Sequence, residues 1–193
     1  MKNVAIIPAR GGSKRIIGKN IRLFHNKPMI SWVINIAQNS GCFEKIIVST
    51  DCEKIAVLCK SLGAEVPFLR PKKISGSYSQ DYVWVKYSLK RLKKDGHDFT
   101  HFFILRPTSP FRNHKTILRA WKKFKNSKNA DSLRAVEICK QHPGKMWTYS
   151  GKYIFPLISK RKNGQPFFNM QFKSLPKVFV QNGSLEISKI GVI

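Results

Sequence analysis

Residues 6–20, IIPARGGSKRIIGKN, combine three glycines with four cations and no carboxylate. That composition suits an anion: glycines let backbone N–H groups approach oxygens that a Cβ would hold off, and cations supply charge. Gly11, Gly12 and Gly18 are the candidates for the first task, and Arg10, Lys14 and Lys19 for the second. The stretch is not the familiar P-loop, because Ser13 occupies the place of its first glycine and Asn20 the place of its metal-binding hydroxyl. Nor is it the dinucleotide fingerprint, whose third glycine is misplaced here. A glycine-rich basic turn on its own is a weak signal that reads as a plain surface turn before it reads as an anion cradle.

The elements around the loop fit the first reading. Val4–Ile7 is a short apolar run ended by Pro8, as expected of a strand buried on both faces. Pro28 stands where a first helical position would be, and Met29, Val33, Ile36 and Ala37 recur at helical spacing before Gly41. The alternation then repeats. Lys45–Thr50 reads as a strand, Asp51 as the cap of a helix carrying Ile55, Leu58 and Leu62, and Glu65–Leu69 as a third strand. A helix is expected from Ser79 to Lys94, a strand over His101–Leu105, a helix around Ile117–Phe124 and a strand over Asp131–Ile138.

Strands alternating with helices predict an α/β fold with a mainly parallel sheet and helices on both faces. Ligands of such sheets sit beyond the carboxyl ends of the strands. That rule selects the loop from Pro8 to Asn20, the corner at 49–51, the stretch from Arg70 to Gln80, and RPTSPFR at 106–112. After Cys139 the period is lost: the segment that follows is rich in turn signals and aromatics, and suits an irregular subdomain or a partner-facing arm. KVFVQNGSLEI then reads as a strand returning to the sheet.

The 193 residues carry 36 Lys and Arg against 10 Asp and Glu, a formal charge of +26. Such a field attracts polyanions, although an excess spread along the whole chain also fits a lysine-biased background. No apolar run reaches the roughly 20 residues of a membrane span, and no signal-peptide anatomy precedes the first strand, so a cytoplasmic protein without a membrane partner is expected. Cys42, Cys52, Cys59 and Cys139 lack Cys-x-x-Cys spacing and read as reduced thiols rather than metal ligands.

The opening loop closely resembles the signature of the acylneuraminate cytidylyltransferases, the CMP-sialic acid synthetases and their legionaminic and pseudaminic acid relatives. The resemblance continues through KPMISWVI, IIVSTDCEKIA, GAEVPFLRP, LRPTSPFR and VQNGSLEIS, and so runs in order through essentially the whole chain. It implies a Rossmann-like nucleotidyltransferase three-layer sandwich over residues 1–193, with a dimerisation and sugar-pocket arm at 141–173. It also implies the reaction, in which the anomeric hydroxyl of a nine-carbon keto-sugar acid attacks the α-phosphate of CTP and releases pyrophosphate with Mg²⁺ as cofactor.

On the resemblance, Arg10, Gly11, Gly12, Ser13, Lys14 and Lys19 hold the triphosphate, with Lys19 and Arg10 the catalytic candidates. Asn20 and Arg70 match positions around the cytosine, Ser79 helps less specifically, and Arg106 lies between nucleotide and sugar. Lys145, Gln171, Gln181 and Asn182 match the sugar side. Lys14 and Arg15 also read as a solvated turn, and Asp51 as a plain helix cap or as a nucleotide contact.

Three departures qualify this. Arg106 stands where the sialic-acid branch carries Gln, which opens the choice of nucleotide and sugar. Gln171 is the nearest residue to an expected arginine. The family's metal-binding aspartates would follow Ile193, so a chain shortened at its C-terminus is expected, and the metal ligands stay unassigned. A related transferase using another nucleotide, or a catalytically impaired nucleotide-binding homologue, is the alternative. A nucleic-acid partner is not expected, because no recognisable binding motif accompanies the charge.

Overall fold

In the computed structural model, residues 2–159, 161–162 and 164–193 are described. The order is β1 (Asn3–Pro8), β2 (Leu23–Phe24), β3 (Lys27–Pro28), α1 (Met29–Ser40), β4 (Lys45–Ser49), α2 (Glu53–Ser61), α3 (Asp81–Lys94), β5 (His101–Ile104), α4 (His114–Asn126), β6 (Ser132–Ile138), β7 (Trp147–Ser150), β8 (Tyr153–Pro156), β9 (Arg161–Lys162), β10 (Gln165–Pro166) and β11 (Phe179–Lys189). Five strands form the central sheet in the order β4-β1-β5-β11-β6. β1 is parallel to β4 and β5, whereas β11 runs antiparallel to β5, with Glu186 opposite Ile104.

The period of two in β1 builds both cores. Ala5 and Ile7 face a cluster with Ile30, Val33 and Ile34 of α1, Ile55 and Cys59 of α2 and Ile117 of α4. Val4 and Ile6 face the opposite cluster, with Trp84, Val85, Leu89 and Leu92 of α3. Because helices cover both faces, β1 reads as one continuous apolar run. The result is a three-layer, Rossmann-like α/β sandwich.

Several local expectations are corrected. Residues 65–69 make only isolated parallel bridges, Ile47 to Glu65 and Thr50 to Leu69, and Pro67 between them has no N–H to give a ladder. Pro28 ends β3 in an extended conformation (ψ 137°) and caps α1, which begins at Met29. Gly41, at φ 59°, closes α1 in the left-handed conformation that glycine takes cheaply. The N-cap of α2 is Cys52, with no side-chain capping bond, and Asp51 has another partner.

The chain divides into two units. One comprises residues 1–135 and 183–193, and the other Val136–Asn182; the expected arm at 141–173 falls within the second, although Lys160 and Asn163 lie outside the described residues. In the smaller unit β7 and β8 pair antiparallel, turning at Gly151, and β9 pairs with β10. His142, buried, accepts the Gly144 N–H on Nδ1 (2.9 Å) and donates from Nε2 to the Pro176 carbonyl (3.0 Å). The four cysteines are unbridged, and burial pushes the Cys59 thiol up to about 12. Among the described residues no helix is long and apolar enough to cross a membrane.

Candidate functional site

The carboxyl ends of β1, β4 and β5 and the N-terminus of α3 surround a pocket within the larger unit. The β1 loop contributes Arg10, Ser13, Lys19 and Asn20 to its wall, the segment before α3 contributes Arg70 and Ser79, and the end of β5 contributes Arg106. Asp81 and Trp84 of α3 and Thr108 also line it.

The loop after β1 is held by its own backbone and by side chains. The Ser13 N–H donates to the Gly11 carbonyl at 3.0 Å, and Gly18 adopts φ 63°, which lets Ile21 and Arg22 both donate to its carbonyl. Buried Asn20 donates from Nδ2 to the Arg10 carbonyl at 3.0 Å, so the two ends of the loop are pinned together. Gly11 has a task the composition did not reveal: its N–H donates to Asp51 Oδ1 at 2.8 Å, and a Cβ there would meet Cys52 Cβ at 3.0 Å. The Gly11 amide is therefore spent on the fold, and Asp51 is an anchor for the loop rather than a helix cap. Gly11, Gly12 and Lys14 stand in the loop without lining the pocket.

Arg70 is buried, and among the described residues no carboxylate makes an ion pair with it. Its Nε and Nη2 donate to Ser49 Oγ (3.1 Å) and the Ser49 carbonyl (2.6 Å), and its guanidinium lies 4.9 Å from the centre of the Trp84 ring. Desolvation lowers its pKa to about 10, against the more distant influence of Asp51 and Asp81. Lys19 is also lowered, first by burial and then by Arg10, Arg15 and Arg106. Burial and neighbouring cations disfavour the charged form of these groups, and an anion between them would favour it.

Arg106 is different. Burial would lower it, but ion pairs to Asp81 (2.6 Å) and Glu186 (2.9 Å) outweigh burial and raise it. Asp81 is lowered for the same reason, although burial alone would raise it; Arg106 and Trp84 Nε1 both donate to its carboxylate. Arg112 was not singled out by sequence reasoning. It is buried, its pKa is lowered to about 10 by desolvation, and its Nη2 donates to the carbonyls of Arg106 and Ser184, tying the loop after β5 to β11. Asp81, Trp84 and Glu186 gave no local signal either, since their contacts with Arg106 and Arg70 join different elements.

The four residues matched to the sugar side, Lys145, Gln171, Gln181 and Asn182, all belong to the smaller unit. There the Lys145 ammonium donates to the carbonyls of Phe168 (2.9 Å) and Met170. Among the described residues no group of three or more His, Cys, Asp or Glu side chains could hold a metal ion. Asp81, the carboxylate in the pocket wall, is committed to Arg106 and Trp84, so these residues do not fit a protein-held Mg²⁺.

A pseudaminic acid cytidylyltransferase of Campylobacter jejuni is 38% identical over 71% of the chain, and a CMP-N,N'-diacetyllegionaminic acid synthase of Legionella pneumophila is 42% identical over 62%. The chain covers 59% of the first and 52% of the second, little more than half of these relatives' length. Among solved structures, a CMP:2-keto-3-deoxy-manno-octonic acid synthetase complexed with CTP superimposes over 100% of this chain and 76% of its own, with a TM-score of 0.70 at 14% identity, a likeness of fold. Residues 4–148, which include the whole pocket wall, match the family model described as cytidylyltransferase, and the chain belongs to that family.

Proposed function

We propose that the pocket binds CTP and that the protein transfers its CMP moiety to a nine-carbon keto-sugar acid of the sialic, legionaminic or pseudaminic kind. The observation that carries this is the convergence of Arg10, Ser13, Lys19 and Arg70 on one cavity at the carboxyl ends of β1 and β4, within a cytidylyltransferase chain. The sugar class is supported by the names of the relatives, which act on pseudaminic and legionaminic acids.

In this reading the anomeric hydroxyl attacks the α-phosphorus. A P–O bond forms as the bond to the departing pyrophosphate breaks, and the hydroxyl proton leaves to solvent. Negative charge grows on the leaving group, and fixed cations that are already desolvated stabilise it without reorganising. Lys19 and Arg10 take that role, Ser13 donates to the polyphosphate, and Asn20 and Arg70 border the nucleoside. A divalent ion enters as part of the nucleotide substrate, MgCTP.

A homodimer is part of the proposal. The β7–β8 hairpin leaves Tyr149, Tyr153, Ile154 and Phe155 exposed, more apolar surface than a free hairpin ordinarily presents. Release of pyrophosphate from CTP and Mg²⁺ in the presence of sialic, legionaminic or pseudaminic acid tests the reaction, with GTP in parallel. Release with CTP and one of these acids is expected; release with GTP in place of CTP would contradict it.

A further inference from the structure

Arg106 is the most heavily compensated cation of the pocket. Its Nη2 donates to Asp81 Oδ2 at 2.6 Å and to Glu186 Oε1 at 2.9 Å. Glu186 has a second cation, because Arg134 Nη1 lies 3.0 Å from its Oε2. The one ion-pair partner of Asp81 among the described residues is Arg106. Two arginines and two carboxylates thus form a group whose formal charges cancel.

The other oxygen of Asp81 bonds within its own helix. Oδ1 accepts the Trp84 indole N–H at 2.8 Å, and the face of that indole carries the Arg70 guanidinium. Ser88 Oγ closes the arrangement from behind, donating to the Trp84 carbonyl at 2.8 Å and lying 3.2 Å from Ser49 Oγ, the acceptor for Arg70 Nε. One carboxylate at the first turn of α3 therefore touches Arg106 directly and Arg70 through a ring.

We infer that Asp81 is a positioning residue of this pocket: it cancels the charge of Arg106, which then presents oriented N–H groups rather than a free cation, and through Trp84 it sets Arg70. The field that draws a polyphosphate then comes from Arg10, Lys19 and Arg70, while the Arg106 wall selects a hydrogen-bond acceptor. This rests on the nucleotide reading of the pocket. It has a consequence that mere structural support would not have: removing Arg106 leaves Asp81 as an unpaired carboxylate facing the phosphates, and removing that carboxylate as well relieves the repulsion.

The test is a double-mutant cycle on the protein: wild type, Arg106→Gln, Asp81→Asn and the double variant. Each is titrated calorimetrically with CTP and with inorganic tripolyphosphate, and each thermal midpoint is recorded. Arg106→Gln is expected to weaken tripolyphosphate binding by about tenfold, and Asp81→Asn in that background to restore most of the loss. The Trp84 emission, taken as the difference from Trp84→Phe, is expected to shift in Asp81→Asn without any ligand. A double variant that binds no better than Arg106→Gln overturns the inference, as does an unchanged Trp84 emission. If Arg106→Gln fails to fold, the Trp84 emission of Asp81→Asn decides alone. Binding of tripolyphosphate but not CTP would sink the cytidine reading and leave the cycle to be read on tripolyphosphate; binding of neither overturns both.

Discussion

The Gly11 N–H donates to Asp51 Oδ1 at 2.8 Å, joining the loop after β1 to the corner after β4 across 40 positions of sequence. The bond holds the basic loop against the sheet, so its loss is expected to loosen the pocket wall. Asp51→Ala should weaken CTP binding by about three- to tenfold, whereas Asp51→Asn, which keeps an acceptor oxygen, should stay within about twofold. Titration calorimetry distinguishes them. An equal loss in both variants would show that Asp51 acts by its charge on Arg70 instead.

Adjacent glycines in the same loop should differ. A Cβ at Gly11 meets Cys52 Cβ at 3.0 Å, while one at Gly12 has nothing within 4 Å. Gly11→Ala is expected to cost about 1–3 kcal/mol in urea denaturation, and Gly12→Ala less than about 0.5 kcal/mol.

Lys19 carries the pH dependence. Burial first, then Arg10, Arg15 and Arg106, hold its pKa below the ordinary lysine value of 10.5. A bound polyphosphate favours the protonated ammonium, so binding takes up protons and affinity falls as pH rises through the lowered pKa, before an ordinary lysine would titrate. In stability the sign is opposite. The unfolded chain keeps its Lys19 proton to higher pH, so the penalty of the crowded ammonium is present below the lowered pKa and lifts as pH rises through it towards 10.5. Lys19→Arg should move the fall in affinity to higher pH. Lys19→Ala should lower turnover by on the order of 10², and an unchanged rate would assign the transition-state charge to another cation.

Phe103 tests the core independently of the site. It is fully buried on β5, edge-on to Phe43 at 4.8 Å and 5.5 Å from Trp121. Phe103→Ala should cost about 3–5 kcal/mol in chemical denaturation, since the void left between strand and helix can close only in part.

Most of the sandwich was legible in local patterns: the double-faced run of β1, the 3.6-residue spacing and Gly41 stop of α1, and the alternation that placed the ligand loops at one end of the sheet. Residues 65–69 failed as a strand because Pro67 has no N–H for a ladder, a signal in the sequence that the surrounding apolar run outweighed. Asp51 failed as a cap because its partner lies 40 positions away. The candidate site divides in the same way. Arg10, Ser13, Lys19, Asn20, Arg70, Ser79 and Arg106 could be named from the loop and the family motifs, and they line one cavity. The Arg106–Asp81–Trp84–Arg70 chain could not: Asp81 and Trp84 are one helical turn apart, but their links to Arg106 and Arg70 join different elements.

The central claim is that this cavity is a CTP site built on Arg10 and Lys19. Calorimetric titration of the wild-type chain with CTP and GTP, repeated on Arg10→Ala, tests it most directly. Saturable binding of CTP at one site per chain, preferred over GTP and weakened by about tenfold or more in Arg10→Ala, is the predicted result. Binding of GTP in preference to CTP, or CTP affinity indifferent to Arg10, would contradict it.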